Sequence, residues 1–234
     1  MSTLHDSFRL ALGLIGHLDP HFRGIVVLTL EVCLASTFFS TLIGLPAGAA
    51  LAVARFPGRP AVIATLNALM GMPPVVMGLL VYLALSRAGP LGSLGLLFTP
   101  TAMVIAQTLL IAPIVAALSR QVIEDAWAEY RDQLVSLRAG TLRSVLTLTW
   151  DTRFSLLTAV LAGFGRAVAE VGAVIIVGGN IDGVTRVMTT TIALETSKGD
   201  LPLALALGLV LIGIVILLNA TAHATREWAR ARYG

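Results

Sequence analysis

Apolar residues in this chain run in long blocks instead of recurring at the two-residue or 3.6-residue spacing of a soluble fold. Five blocks meet the requirement of roughly 20 mostly apolar residues for a bilayer crossing. They cover about residues 25–54, 61–85, 100–118, 154–177 and 201–222. Between the third and fourth lies the one long run where charge outweighs apolar character, residues 120–153. It carries Glu124, Asp125, Glu129, Arg131, Asp132, Arg138, Arg143, Asp151 and Arg153. Leu134, Val135 and Leu137 give it a short apolar face, Ala139-Gly140 offers a turn, and a helical pattern resumes over 141–149. The pattern predicts a helix–turn–helix insert on the cytoplasmic side, gripped by another subunit. The segment 1–23 lacks a basic start, and its apolar run is short and broken by glycines, so it reads as a surface helix and not a cleaved leader.

Composition agrees with the pattern. Hydrophobic residues make up 56% of the chain and charged residues 12%, against about 25% charged in soluble domains, and the mean hydropathy is +0.88. So much apolar surface cannot be hidden inside a soluble globule of this size, and the fold class is an all-α integral membrane protein surrounded by lipid. The pI of 9.6 reflects arginines at membrane borders, not a nucleic-acid partner. Placing Arg55, Arg59, the insert and the tail 223–234 on one side gathers ten cationic residues there, leaving five (Arg9, Arg23, Arg87, Arg186 and Lys198) opposite. The positive side is cytoplasmic, which puts the N-terminus outside and the C-terminus inside a prokaryotic plasma membrane. Cys33 is the single cysteine, so no intrachain disulfide forms.

Candidate chemistry is sparse. Pro73-Pro74 in the second block removes two backbone donors, giving either a proline kink or a true break, and Pro113 marks a second hinge candidate in the third. A break is tolerable only against protein or a water-filled cavity. Arg166 and Glu170 stand four residues apart in the fourth block, where a helix would pair them. Charges at that depth face protein or water, so the pair either braces helices or lends positive potential to an anion path. The loop after it carries Asn180, Thr185 and Thr189, hydroxyl and amide groups suited to an oxyanion or simply to an external loop. No glycine-rich phosphate loop exists, and the only lysine, Lys198, precedes Gly199. His5, His17, His21 and His223 are scattered without clustered carboxylates, so neither a metal site nor a catalytic residue set emerges. A transport subunit moved by a partner that grips its insert is the leading reading. A proton-coupled carrier using Glu170, or a passive membrane anchor, are the rivals.

Leu137-Arg138-Ala139-Gly140 with Arg143 resembles the coupling loop of binding-protein-dependent ABC importer permeases. In that family a Glu-Ala-Ala triplet, a glycine and a Leu-Pro ending are usual. Here Asp132-Gln133-Leu134, Arg138 and Trp150-Asp151 stand in their places. Pro73-Pro74-Val75-Val76, Gly89-Pro90-Leu91-Gly92 and Phe164-Gly165-Arg166 with Glu170-Val171-Gly172-Ala173 are similar to the molybdate/tungstate type, the last of these and Val184-Thr185-Arg186 most like the tungstate branch. The resemblance implies a type I importer architecture of about five transmembrane helices, with a cytoplasmic coupling helix between the third and fourth. It further implies a second permease copy, a cytoplasmic ATPase holding ATP and Mg²⁺, and an external oxyanion-binding protein. This chain then binds no cofactor itself. Its cargo is tungstate, with molybdate or sulfate as alternatives, moved by alternating access.

Overall fold

The computed structural model describes residues 9–13 and 19–233, all of them helical or looped. Much of the expected surface segment 1–23 lies outside the described residues, as do the side chains of His223 and of Arg226, Arg230 and Arg232 in the tail. Among the described residues, a helical stretch at 9–13 is followed by nine helices: α1 Pro20–Val53, α2 Arg59–Met70, α3 Pro74–Leu85, α4 Pro100–Ser136, α5 Thr141–Asp151, α6 Arg153–Val168, α7 Gly172–Gly178, α8 Met188–Lys198 and α9 Leu201–Tyr233. A short 3-10 turn, Gly92–Leu94, stands between α3 and α4. Helices α1, α4 and α9 are long and apolar enough to cross a bilayer, and counting each of the interrupted pairs α2/α3 and α6/α7 as one crossing gives five.

Two of the expected crossings are therefore not continuous helices. The block 61–85 stops at Met70, and Pro73, extended at ψ 128°, caps a new helix whose first residue is Pro74. Proline lacks the N–H that a first-turn residue would leave unused, so it starts a helix better than it continues one. The block 154–177 is interrupted after Val168, with Glu170 in the gap.

The reverse correction applies at Pro113: α4 runs through it without a break. One intrahelical bond is forfeited there, but the flanking turns are held. A Cβ on Gly44 would lie 2.6 Å from the carbonyl oxygen of Ala112, so α1 backs closely onto α4 on both sides of the proline. Helix α4 also continues well past residue 118, because 119–136 contains neither glycine nor proline, and the first half of the charged insert is its extension. For the same reason α9 carries on into the basic tail.

Packing divides the chain into two units. One comprises Met1–Ser36, Pro73–Gln107 and Arg166–Leu218, the other Thr37–Met72, Thr108–Gly165 and Asn219–Gly234. In the first, Phe22, Ile25, Met188 and Leu207 form an apolar core. In the second, Ala49, Ala52 and Val53 at the end of α1 pack with Ile123, Ala126 and Leu134 of α4, Leu148 of α5 and Leu156 of α6.

Candidate functional site: a buried helix break and an exposed elbow

The gap between α6 and α7 contains no glycine or proline in residues 166–171. What sustains it is a set of side chains that take up the backbone groups a helix end leaves unpaired. Gln107 Nε2 donates to the carbonyl of Ala167 (3.2 Å). Thr189 Oγ1 donates to the carbonyl of Glu170 (2.8 Å). Glu170 Oε1 accepts from the Ala173 N–H (2.9 Å) at the start of α7. Its other oxygen takes the Arg166 guanidinium at 2.7 Å. Ser36 Oγ, donating to Gln107 Oε1 at 2.8 Å, completes the chain from α1 through α4.

The i, i+4 pairing of Arg166 with Glu170 thus forms, although Glu170 sits beyond the end of the helix. The carboxylate is 3% exposed and the arginine 33%. The acid is an interior counter-ion, and the cation retains donors toward the outside. Close packing supports the same point: a Cβ on Gly78 of α3 would stand 2.8 Å from Ala173 Cα, and one on Gly172 equally near Val75 Cγ2. These contacts match residue 75 to 172 and residue 78 to 173 and 176, so α3 and α7 lie side by side in the same chain direction.

Of the remaining predicted pathway residues, Thr189 joins this cluster while Asn180 and Thr185 belong to the loop after α7. Thr185 is fully buried, donating from Oγ1 to the Gly178 carbonyl (2.6 Å) and accepting from the Ile181 N–H (2.9 Å). Asn180 adopts φ 51°, and its Oδ1 is buried without a hydrogen-bond partner. In the same loop Asp182 meets His21 Nε2 at 2.8 Å and Arg186 at 3.1 Å. The hydrogen bond from His21, followed by the charge of Arg186, holds the Asp182 carboxyl below its ordinary range.

The elbow of the second unit is built differently. Helix α4 ends in a Schellman turn: the Ala139 N–H donates to the Leu134 carbonyl (2.9 Å) and the Arg138 N–H to Val135 (2.9 Å). Residue 138 therefore sits in the left-handed position, at φ 52°, which glycine fills most cheaply. Sequence reasoning placed the turn at Ala139-Gly140. In fact Gly140 is extended, φ −69° and ψ 165°, and caps α5. Leu134 and Ala139 face the core of this unit, while Asp132, Gln133, Leu137, Arg138, Gly140 and Arg143 are exposed.

Helix α5 buries Ser144 and Leu148 on one face. Its other face, with the turn before it, presents Leu137, Leu142, Leu146 and Trp150, between 61% and 77% exposed. Arg153 stacks its guanidinium 4.9 Å from the Trp150 ring centre and 4.6 Å from that of Phe154. Beneath the elbow, Glu124 of α4 is gripped by Arg120 of the same helix and by Arg59 of α2, the latter at 2.6 Å. Arg59 also donates to the carbonyls of Leu51 (3.0 Å) and Ala52 (3.4 Å), tying off the end of α1.

Gln107, Ser36 and the Arg59–Glu124–Arg120 bracket were not singled out from sequence as site residues. An isolated glutamine and serine within apolar runs were the available signal for the first two.

No family model matches the chain. It is 38% identical over 97% of its length to the whole of the tungstate uptake system permease protein TupB of Peptoclostridium acidaminophilum. It is 44% identical, over 66% of its length and 64% of the relative's, to TupB of Campylobacter jejuni. The chain belongs to the ABC transporter permease family. A probable anion ABC transporter permease of Haloferax volcanii is 37% identical over 90% of this chain and 93% of its own length. Permeases named for molybdenum and sulfate transport are more distant, at 30% identity. The permease is thus a multi-pass inner-membrane protein with a transport role.

Proposed function

We propose that this permease is the membrane subunit of a tungstate importer, driven by ATP hydrolysed on a separate subunit. The observation that carries the reading is the end-to-end likeness to a tungstate uptake permease, 38% identical over 97% of the chain. The elbow supplies the mechanical part. Four large apolar side chains, Leu137, Leu142, Leu146 and Trp150, stand exposed on a charged insert. An aromatic and aliphatic cluster rimmed by Asp132, Gln133, Arg138 and Arg143 has the composition of a protein interface. The ATPase, holding ATP and Mg²⁺, docks there on the cytoplasmic side. The permease itself binds no cofactor and catalyses no reaction.

Two copies of the permease form the pathway, with the N-termini outside and the C-termini cytoplasmic. Leu148 packs α5 against the ends of α1, α4 and α6, so displacement of the elbow moves the inner ends of those helices as one body. ATP closure of the two ATPases tilts the spans outward, an external binding protein discharges the anion, and hydrolysis restores the inward-facing state. Arg166, partly exposed and with Glu170 as interior counter-ion, adds positive potential along the route. Selectivity rests chiefly with the binding protein, since a pathway that bound tightly would trap its cargo.

Reconstitution of the permease with its ATPase and binding protein in proteoliposomes tests the reading. Tungstate accumulates with external binding protein and internal ATP, competed by molybdate more effectively than by sulfate. Full-rate tungstate uptake with no ATPase present overturns it.

A further inference from the structure

The second unit contains a groove of about 280 Å³ between the end of α1 and the start of α2, with Ala116 of α4 also in its lining. Its walls are wholly apolar: Ala47, Ala50 and Leu51 on one side, Phe56, Val62 and Leu66 on the other. Nothing in such a lining can orient a polar solute, and an alkyl chain is the chemistry it accepts.

The rim is as one-sided in charge as the walls are in polarity. Arg59 reaches across to the carbonyl of Leu51, a wall residue, at 3.0 Å. Arg120 lies one turn beyond Ala116 on α4. Its residue is 9% exposed and its Nε is buried without a hydrogen-bond partner. Exposed Arg55 lies in the chain between the wall residues Ala54 and Phe56. Against these three arginines stands one acid, Glu124, shared by Arg59 and Arg120. The rim is left with two uncompensated positive charges beside a slot for hydrocarbon. Basic pockets of this kind between membrane helices take anionic lipid head groups.

We propose that this groove seats an anionic phospholipid, one acyl chain lying between α1 and α2 and the phosphate held by Arg55 and Arg59. The seat lies where the bracket around Glu124 joins α1, α2 and α4. A bound lipid therefore braces the inner ends of the helices that the elbow displaces, a consequence that rests on the transport reading above. The binding itself does not.

Native mass spectrometry of the purified permease in mild detergent is the test, with phosphatidylglycerol and phosphatidylcholine of identical acyl chains titrated in turn. Wild type retains phosphatidylglycerol at least fivefold over phosphatidylcholine, and glycerol 3-phosphate does not compete. Arg55→Gln brings phosphatidylglycerol retention down to the phosphatidylcholine level. Ala50→Phe, which fills the slot, lowers retention of both lipids, and Val62→Phe does the same from the opposite wall should the first variant fold poorly by circular dichroism. Equal retention of the two lipids by wild type overturns the proposal. So does unchanged phosphatidylglycerol binding in both the Arg55 and the slot-filling variants. Displacement by glycerol 3-phosphate would reduce the rim to a simple anion site and overturn the lipid seat. None of these readings uses ATP or tungstate, so failure here leaves the transport assignment standing.

Discussion

The helix break around Glu170 and the elbow around Arg138 are both interruptions of long helices, and they solve the same problem in opposite ways. At the break, the exposed backbone ends are absorbed by Gln107, Thr189 and the Glu170 carboxylate, and neighbouring glycines let α3 close over α7. At the elbow the backbone is also satisfied, by the Schellman turn, but a row of apolar side chains is left facing outward. An interruption that ends in a closed polar network is a fixed structural joint. One that ends in an uncovered apolar face is waiting for a surface. The two regions should therefore fail differently: damage to the break costs folding, and damage to the elbow costs coupling.

The largest effect is expected at the interior acid. Glu170→Ala removes the counter-ion of Arg166 and the acceptor for the Ala173 N–H together. Breaking a buried pair from one side costs about 3–5 kcal/mol, and the low end applies because Arg166 still reaches outward. Denaturant unfolding of the purified permease in detergent should show that loss, with the Arg166→Met/Glu170→Gln double variant recovering most of it. Unchanged stability in Glu170→Ala would erase the distinction between the two regions. Glu170→Gln alone keeps an oxygen for Ala173, and its ATP-driven uptake should persist. A proton-carrying role for Glu170 requires the opposite.

The elbow should show the inverse signature. Leu146→Ala with Trp150→Ala removes exposed groups that hold nothing within the permease's own core. Only the stacking of Arg153 on Trp150 is lost, so stability should stay within about 1 kcal/mol of wild type. Truncating an interface anchor costs about 2 kcal/mol or more, roughly a 30-fold weakening, and ATP-driven uptake should fall in proportion as ATPase co-purification is lost. A destabilised variant that still coupled normally would mean the face is structural after all.

A smaller loss is expected at Gln107, which links Ser36 to the frayed end of α6. Gln107→Leu leaves the Ala167 carbonyl with only the Glu170 N–H, in a buried setting, at about 1–2 kcal/mol. The same denaturant measurement detects it, and no comparable loss should follow Gln133→Leu on the exposed elbow.

The contrast also explains which features could be read from residues alone. Long apolar blocks, the charged insert and the Arg166–Glu170 spacing are local signals. They located the long apolar helices, the elbow and the ion pair. The break at Ala169–Val171 left no local mark, because Arg-Ala-Val-Ala-Glu-Val continues a helix comfortably and is stopped by partners 19 residues later in Thr189 and 60 residues earlier in Gln107. Pro113 misled in the other direction: a strong local signal was overruled by the glycine-lined contact of α1 with α4. Proline at Gly140 is accordingly a poor way to disrupt the elbow, since φ there is −69°, a value proline already prefers. In the Arg59–Glu124–Arg120 bracket only the four-residue spacing of Arg120 and Glu124 is a local signal, while Arg59 reaches Glu124 across 65 residues of sequence and left no local mark.

The smallest prediction separates backbone from charge at the elbow. Arg138 pays for its left-handed φ of 52° as any residue with a Cβ does, a strain of about 1 kcal/mol that glycine escapes. Arg138→Gly should therefore stabilise the permease by an amount approaching that figure, whereas Arg138→Ala keeps the strain and should gain nothing. Both variants lose the guanidinium. If the charge contacts the ATPase, uptake falls equally in the two despite their different stabilities; if only the turn geometry matters, the glycine variant transports at least as well as wild type. A stabilising effect of alanine equal to that of glycine would show that the strain does not reside in the left-handed turn, and the elbow would then have to be rigid for some other reason.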